Sequence, residues 1–133
     1  MMGFSAGGEV VSMVAFNGTT ADQQAADPID RQSARPNFLI QIYPGPLGIP
    51  NKVEKDAPPA FLLVANDDPC CSDGTIRFLQ RYHEAKAQVE AHVFAQGSHG
   101  FNMGQRSKLK SVNTWAQRLA DWLSDTGILT GSK

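Results

Sequence analysis

Residues 3–8 of this 133-residue chain read Gly3-Phe4-Ser5-Ala6-Gly7-Gly8, a Gly-x-Ser-x-Gly pattern directly ahead of a stretch with helical periodicity. A serine in that pattern sits on a sharp strand-to-helix turn, which lifts its hydroxyl clear of the sheet. A bulky side chain two positions to either side would collide with the crossing backbone, and both positions are glycine. The helix that follows turns its positive N-terminal end toward the hydroxyl, where negative charge would develop on an attacked carbonyl. The backbone N–H of Ala6 is the expected first donor to that oxyanion. Ser5 is thus a candidate nucleophile.

A serine hydroxyl is a weak nucleophile and needs a base, and the base needs a carboxylate to hold its tautomer. After a turn of this kind the partners follow in the order acid, then histidine. Three histidines compete. His83 falls in a helical stretch and reads as a surface or packing residue. His92 falls inside a strand-like run, where a satisfied sheet-face histidine is the simpler reading. His99 lies in Gly97-Ser98-His99-Gly100-Phe101, a glycine-bounded loop from which an imidazole can reach inward, and it is the expected base. The expected acid lies in Asn66-Asp67-Asp68-Pro69. We favour Asp68, with Asp67 as the alternative; whichever does not hold the imidazole is a solvated or turn-forming carboxylate.

The two cysteines, Cys70 and Cys71, are adjacent. A disulfide framework uses spaced pairs, and zinc sites use more ligands at wider spacing. Two free thiols are expected, with a vicinal disulfide as the lesser alternative.

The elements that must position these residues alternate. Residues 38–43, 60–65 and 89–94 are short apolar or β-branched runs, each bounded by proline, glycine or Asn/Asp breakers, and read as strands. The first two are almost continuously apolar, as parallel strands covered on both faces are. Helical patterns occupy 6–16, with Val10, Val11, Val14 and Ala15 on one stripe; 73–87, with Ile76, Leu79 and His83 on one face; and 113–125, with Trp115, Leu119 and Trp122. Segments 18–37 and 44–58 read as long loops or irregular lids. This alternation predicts a small, mostly parallel sheet of about three strands with helices on both faces, in a single α/β domain over 1–133. Ligands of such sheets sit beyond the carboxyl ends of the strands. Both the Asp67-Asp68 and His99 loops fall there.

Bulk composition narrows the classes. Apolar residues are 41%, charged residues 19%, and the net charge is −1. No basic patch suggests nucleic acid as a partner, and no apolar run approaches the ~20 residues of a membrane span. No signal peptide stands ahead of the domain, so the chain as it stands reads as soluble and cytoplasmic.

The stretches 3–9, 27–31, 36–45, 58–68 and 97–101 resemble bacterial acetyl esterases of the α/β-hydrolase superfamily, in the branch with xylan-acetyl-esterase-like and dienelactone-hydrolase-related enzymes. The resemblance runs over nearly the whole chain, but to the second half of such an enzyme: a truncated α/β-hydrolase fold. It implies a serine carboxylesterase acting on acetyl to butyryl esters through an acyl-enzyme, with a small ester as its substrate and no metal or cofactor. The nucleophile maps to Ser5, the base to His99 and the acid to Asp68. Where the family places valine and proline after the acid, this chain has Cys71-Ser72. The His-Gly-Gly-type loop that supplies the family's second oxyanion donor has no counterpart here, nor does most of the strand leading into Ser5. Two expectations follow. The inner edge of strand 38–43 is left unpaired, and the chain forms a homo-oligomer, dimer or tetramer, through that edge or the cut face. Catalysis is weak. Two alternatives are an inactive remnant that folds and oligomerises, and a serine peptidase of the same superfamily.

Overall fold

A computed structural model of the chain describes residues 1–18 and 21–129. Its elements in chain order are β1 (Met2–Phe4), α1 (Ala6–Asn17), β2 (Leu39–Ile42), a single 3-10 turn (Pro46–Gly48), β3 (Ala60–Ala65), α2 (Ser72–Ala85), β4 (Val89–Phe94), α3 (Lys110–Asn113) and α4 (Trp115–Asp125). The strands form one sheet in the order β1-β2-β3-β4, and every pairing is parallel.

There are four described strands where three were expected. The extra one, β1, corrects the reading of an unpaired edge. Met2, Gly3 and Phe4 lie opposite Ile40, Gln41 and Ile42, so β2 is paired on both sides and β1 is the edge. Three residues are too short to register as an apolar run; they pair because the backbone entering the Ser5 turn runs alongside β2.

The sheet is covered on both faces, as expected, because the pleat sends alternate side chains to opposite sides. Ile40, Ile42, Phe61 and Leu63 pack with Trp115 and Trp122 of α4. Leu39, Ala60 and Leu62 pack with Val11 of α1 and with Phe78 and Tyr82 of α2. All six residues of β3 are fully buried. Each of its larger side chains contributes about 1.5–3 kcal/mol by leaving water, which makes β3 the axis of the core.

Two helices bury a face rotated from the one their apolar residues predicted, keeping Val11 and Ala15 of α1 and Leu79 of α2 against the core. In α1 the buried residues are Gly8, Val11 and Ser12, while Val10 is 57% exposed. Small side chains let α1 lie close to β2, and the Ser12 hydroxyl accepts a hydrogen bond from the buried Gln41 Nε2 at 2.8 Å. In α2 the buried stripe is Thr75, Phe78 and Tyr82, leaving Ile76 and His83 exposed. The aromatic pair removes more surface than Ile76 would, and the Thr75 hydroxyl is satisfied by the Cys71 carbonyl at 2.9 Å. In α4, Trp115 and Trp122 are buried and Leu119 partly so, as the pattern predicted.

The segment 44–58 is tied down. Glu9 Oε1 accepts the Leu47 N–H at 3.1 Å, and a Cβ on Gly45 would fall 2.2 Å from that same oxygen. Among the described residues, no helix is long and apolar enough to cross a membrane.

Candidate active site

Ser5 stands between β1 and α1 with φ 50° and ψ −121°, a backbone conformation that non-glycine residues seldom adopt. The surroundings hold it there. The Ser5 N–H donates to the Ile42 carbonyl at 3.0 Å, and the Ser5 carbonyl accepts from Gly8 at 2.9 Å and Gly45 at 3.1 Å.

Only one of the two flanking glycines is needed for the reason the motif suggests. A Cβ on Gly3 would lie 2.3 Å from the Gly7 carbonyl oxygen, an impossible contact, whereas a Cβ on Gly7 would meet nothing within 4 Å. The second tight position is Gly8, where a Cβ would come within 2.8 Å of both Gln41 Oε1 and Pro44 Cβ. The turn is thus closed by Gly3 against its own helix, and the helix is seated on β2 by Gly8.

His99 reaches Ser5 from the loop after β4. Its Nε2 lies 2.8 Å from Ser5 Oγ, and its Nδ1 lies 2.7 Å from Asp68 Oδ2. A carboxylate can only accept, so the proton sits on Nδ1 and the Nε2 lone pair faces the hydroxyl. The Asp68 side chain is fully buried, and that of His99 is about one-third exposed. Burial of an anion is costly unless it is fully hydrogen-bonded. Here Asp68 Oδ1 also accepts the N–H groups of Cys70 at 2.9 Å and Cys71 at 3.2 Å. Asp67 is exposed and does not touch the imidazole; its Oδ1 accepts the Ser98 N–H at 2.8 Å.

The other two histidines lie elsewhere. His83 is exposed on α2. His92 on β4 bonds Glu90 Oε1 at 2.8 Å and packs on Phe61 with ring centroids 5.3 Å apart.

Tyr43 is the residue that sequence reading passed over, taking it as the last residue of a strand. Its ring edges onto His99 at 4.9 Å and Phe101 at 4.8 Å, and its hydroxyl accepts the Asn102 N–H at 3.1 Å. Burial, with a smaller contribution from the nearby Asp68 charge, pushes its hydroxyl pKa up. Tyr43 therefore stays neutral while bracing the His99 loop from behind. The Tyr43-Pro44 junction at a strand end was the available signal.

The N–H of Ala6, first residue of α1, has no intrahelical acceptor and lies at the positive end of the helix. Farther along the stretch that carries His99, Gly97, Gly100, Phe101, Met103 and Arg106 line an open concavity of about 500 Å³ to which neither His99 nor Ser5 contributes. Cys70 and Cys71 are joined as a vicinal disulfide, where two free thiols were expected.

No protein-family model matches this sequence, and no curated protein matches it either. Solved structures do match in shape. An acetyl ester-xyloside bifunctional hydrolase from Caldicellulosiruptor lactoaceticus superposes with a TM-score of 0.86 at 23% identity, over 95% of this chain and 56% of that one. A carboxylesterase from Lactobacillus plantarum superposes at 0.71 with 22% identity, over 98% of this chain and 59% of that one. A thermophilic esterase from Thermogutta terrifontis superposes at 0.72 with 19% identity, over 95% and 54%. The chain therefore has the α/β-hydrolase fold, and it spans little more than half the length of these structures.

Proposed function

We propose that the chain is a serine carboxylesterase that cleaves short-chain esters, acetyl to butyryl, with Ser5 as nucleophile, His99 as base and Asp68 as the carboxylate that holds His99. The observation that carries this reading is the continuous hydrogen-bonded line from Ser5 Oγ through the two ring nitrogens of His99 to the buried Asp68.

The chemistry follows from that line. Ser5 Oγ attacks the ester carbonyl as its proton passes to His99 Nε2, and the resulting imidazolium is stabilised by Asp68. The oxyanion is met by the Ala6 N–H at the start of α1. The tetrahedral adduct collapses, the alcohol leaves with the proton from His99, and the acyl group stays on Ser5. Water, activated by the same Nε2, then releases the acid. Among the described residues, Ala6 is the oxyanion donor on which this reading relies. Removing one such donor typically costs about 10²–10³ in turnover, which is why the start of α1 matters to this reading. The fold neighbours that are esterases support the ester class.

The test is reaction with a fluorophosphonate probe alongside hydrolysis of p-nitrophenyl acetate. The wild-type chain should label once at Ser5 and hydrolyse the ester, and Ser5→Ala should do neither. An unlabelled wild-type chain, or an unchanged rate in Ser5→Ala, would overturn the reading.

A further inference from the structure

The vicinal cysteines lie against the acid of the site. Their two N–H groups hold Asp68 Oδ1, Cys71 is fully buried and Cys70 is exposed. One potential ligand atom from each of Asp68, Cys70, Cys71 and His99 falls within a set whose members all lie within 4.8 Å of one another. Sequence spacing hid this set, because adjacent cysteines alone are too few for a metal site and His99 arrives from a separate loop.

The set has a definite chemical character. The grouping is seen with the two sulfurs bonded to each other. On reduction, two thiolates, one carboxylate oxygen and one imidazole nitrogen would make four donors, the number that a tetrahedral Zn²⁺ takes in a closed site. Thiolates select thiophilic cations over Mg²⁺ or Ca²⁺. While the sulfurs are bonded to each other they are not available as thiolates, so the site is open only when the pair is reduced.

We propose that Cys70, Cys71, Asp68 and His99 form a thiol-gated site for a thiophilic divalent cation of the Zn²⁺ type, and that filling it takes His99 away from Ser5. The silencing half rests on the esterase reading above; the binding half does not. In the gating step an external dithiol supplies two electrons and two protons. The Cys70–Cys71 bond breaks, each sulfur becomes S–H, and the dithiol leaves as its own disulfide. The cation then displaces the proton from each thiol, so binding releases two protons to solvent. Either imidazole nitrogen gives the same result for Ser5. If the cation takes Nε2, the base is occupied. If it takes Nδ1, the ring proton must sit on Nε2, which becomes a donor and can no longer accept the serine proton. Exposure of Cys70 gives the reductant its entry.

The test uses Co²⁺ as a spectroscopic probe on the full chain. The protein is reduced with dithiothreitol and freed of it without oxygen. The reduced wild type should bind one Co²⁺ per chain with a sulfur-to-cobalt charge-transfer band, and Zn²⁺ should displace it. The oxidised wild type and Cys70→Ser/Cys71→Ser should show no such band, and His99→Ala should bind more weakly. Ser5→Ala should bind as the wild type does. In parallel, Zn²⁺ should reduce p-nitrophenyl acetate hydrolysis by the reduced protein to the Ser5→Ala background and leave the Cys70→Ser/Cys71→Ser protein unaffected. Absence of the band in the reduced wild type, or its persistence in the double serine variant, overturns the site. Binding with undiminished hydrolysis overturns the silencing. Binding without hydrolysis in either redox state supports the site and counts against the esterase reading instead.

Discussion

Asp67 and Asp68 are neighbours in sequence and hold different parts of one loop. Asp68 Oδ2 lies 2.7 Å from His99 Nδ1, while Asp67 Oδ1 accepts the N–H of Ser98 at 2.8 Å. One carboxylate is buried and faces the imidazole; the other is exposed and holds the backbone just before it.

Their substitutions should therefore separate. Asp68→Asn puts an NH₂ where an acceptor stood, favours the wrong His99 tautomer, and should lower kcat for p-nitrophenyl acetate by about 10⁴. Asp67→Ala only loosens the loop, and its loss should stay within about 10², the cost of a misplaced catalytic group. Equal losses would show that the two carboxylates are not divided in this way.

The glycines of the elbow make a stability prediction. Gly3→Ala forces a Cβ to 2.3 Å from a backbone oxygen of α1 and should cost upward of about 1–3 kcal/mol, with the turn displaced. Gly7→Ala meets nothing and lies in the first turn of α1, so it should be neutral or stabilise by up to about 1 kcal/mol. Urea midpoints of the two variants check both signs.

Tyr82 links stability to alkaline pH. Burial raises its pKa well above the ordinary 10.0, with an opposing effect from Arg35, and its hydroxyl donates to the Pro58 carbonyl at 2.9 Å. Because the folded-state value is raised, the neutral phenol is favoured in the fold. This contribution is fully present below pH 10.0 and is lost as pH climbs through the raised folded value. Tyr82→Phe should cost about 1 kcal/mol near neutrality and flatten the alkaline loss. Urea unfolding of both proteins across this range measures it.

Self-association is the remaining expectation. β1 is a sheet edge, and Met2, Val10 and Met13 are 42%, 57% and 42% exposed on β1 and α1. We propose that a second copy of the chain pairs with the β1 edge and covers exposed apolar side chains of β1 and α1, since unpaired edges of described sheets pair with something. Sedimentation should show a dimer or tetramer at micromolar concentration, converted toward monomer by Val10→Lys with Met13→Lys. A clean wild-type monomer would refute it.

What the sequence determined by itself was local. Gly3-Phe4-Ser5-Ala6 specifies its own turn because the steric constraint involves a few adjacent residues. The runs 60–65 and 89–94 read as strands because apolar stretches of that length between breakers have few other uses. Trp115, Leu119 and Trp122 likewise state their own helical face. Tertiary structure decided whatever depends on direction. Neighbouring side chains such as Asp67 and Asp68 point differently, and only the arriving His99 loop distinguishes them. The buried faces of α1 and α2 follow close approach and aromatic packing, so Ser12 is inside and Val10 outside. The gathering of Cys70, Cys71, Asp68 and His99 could not be read from spacing, because two loops separated by a helix and a strand meet only when the parallel sheet brings their strand ends to one rim.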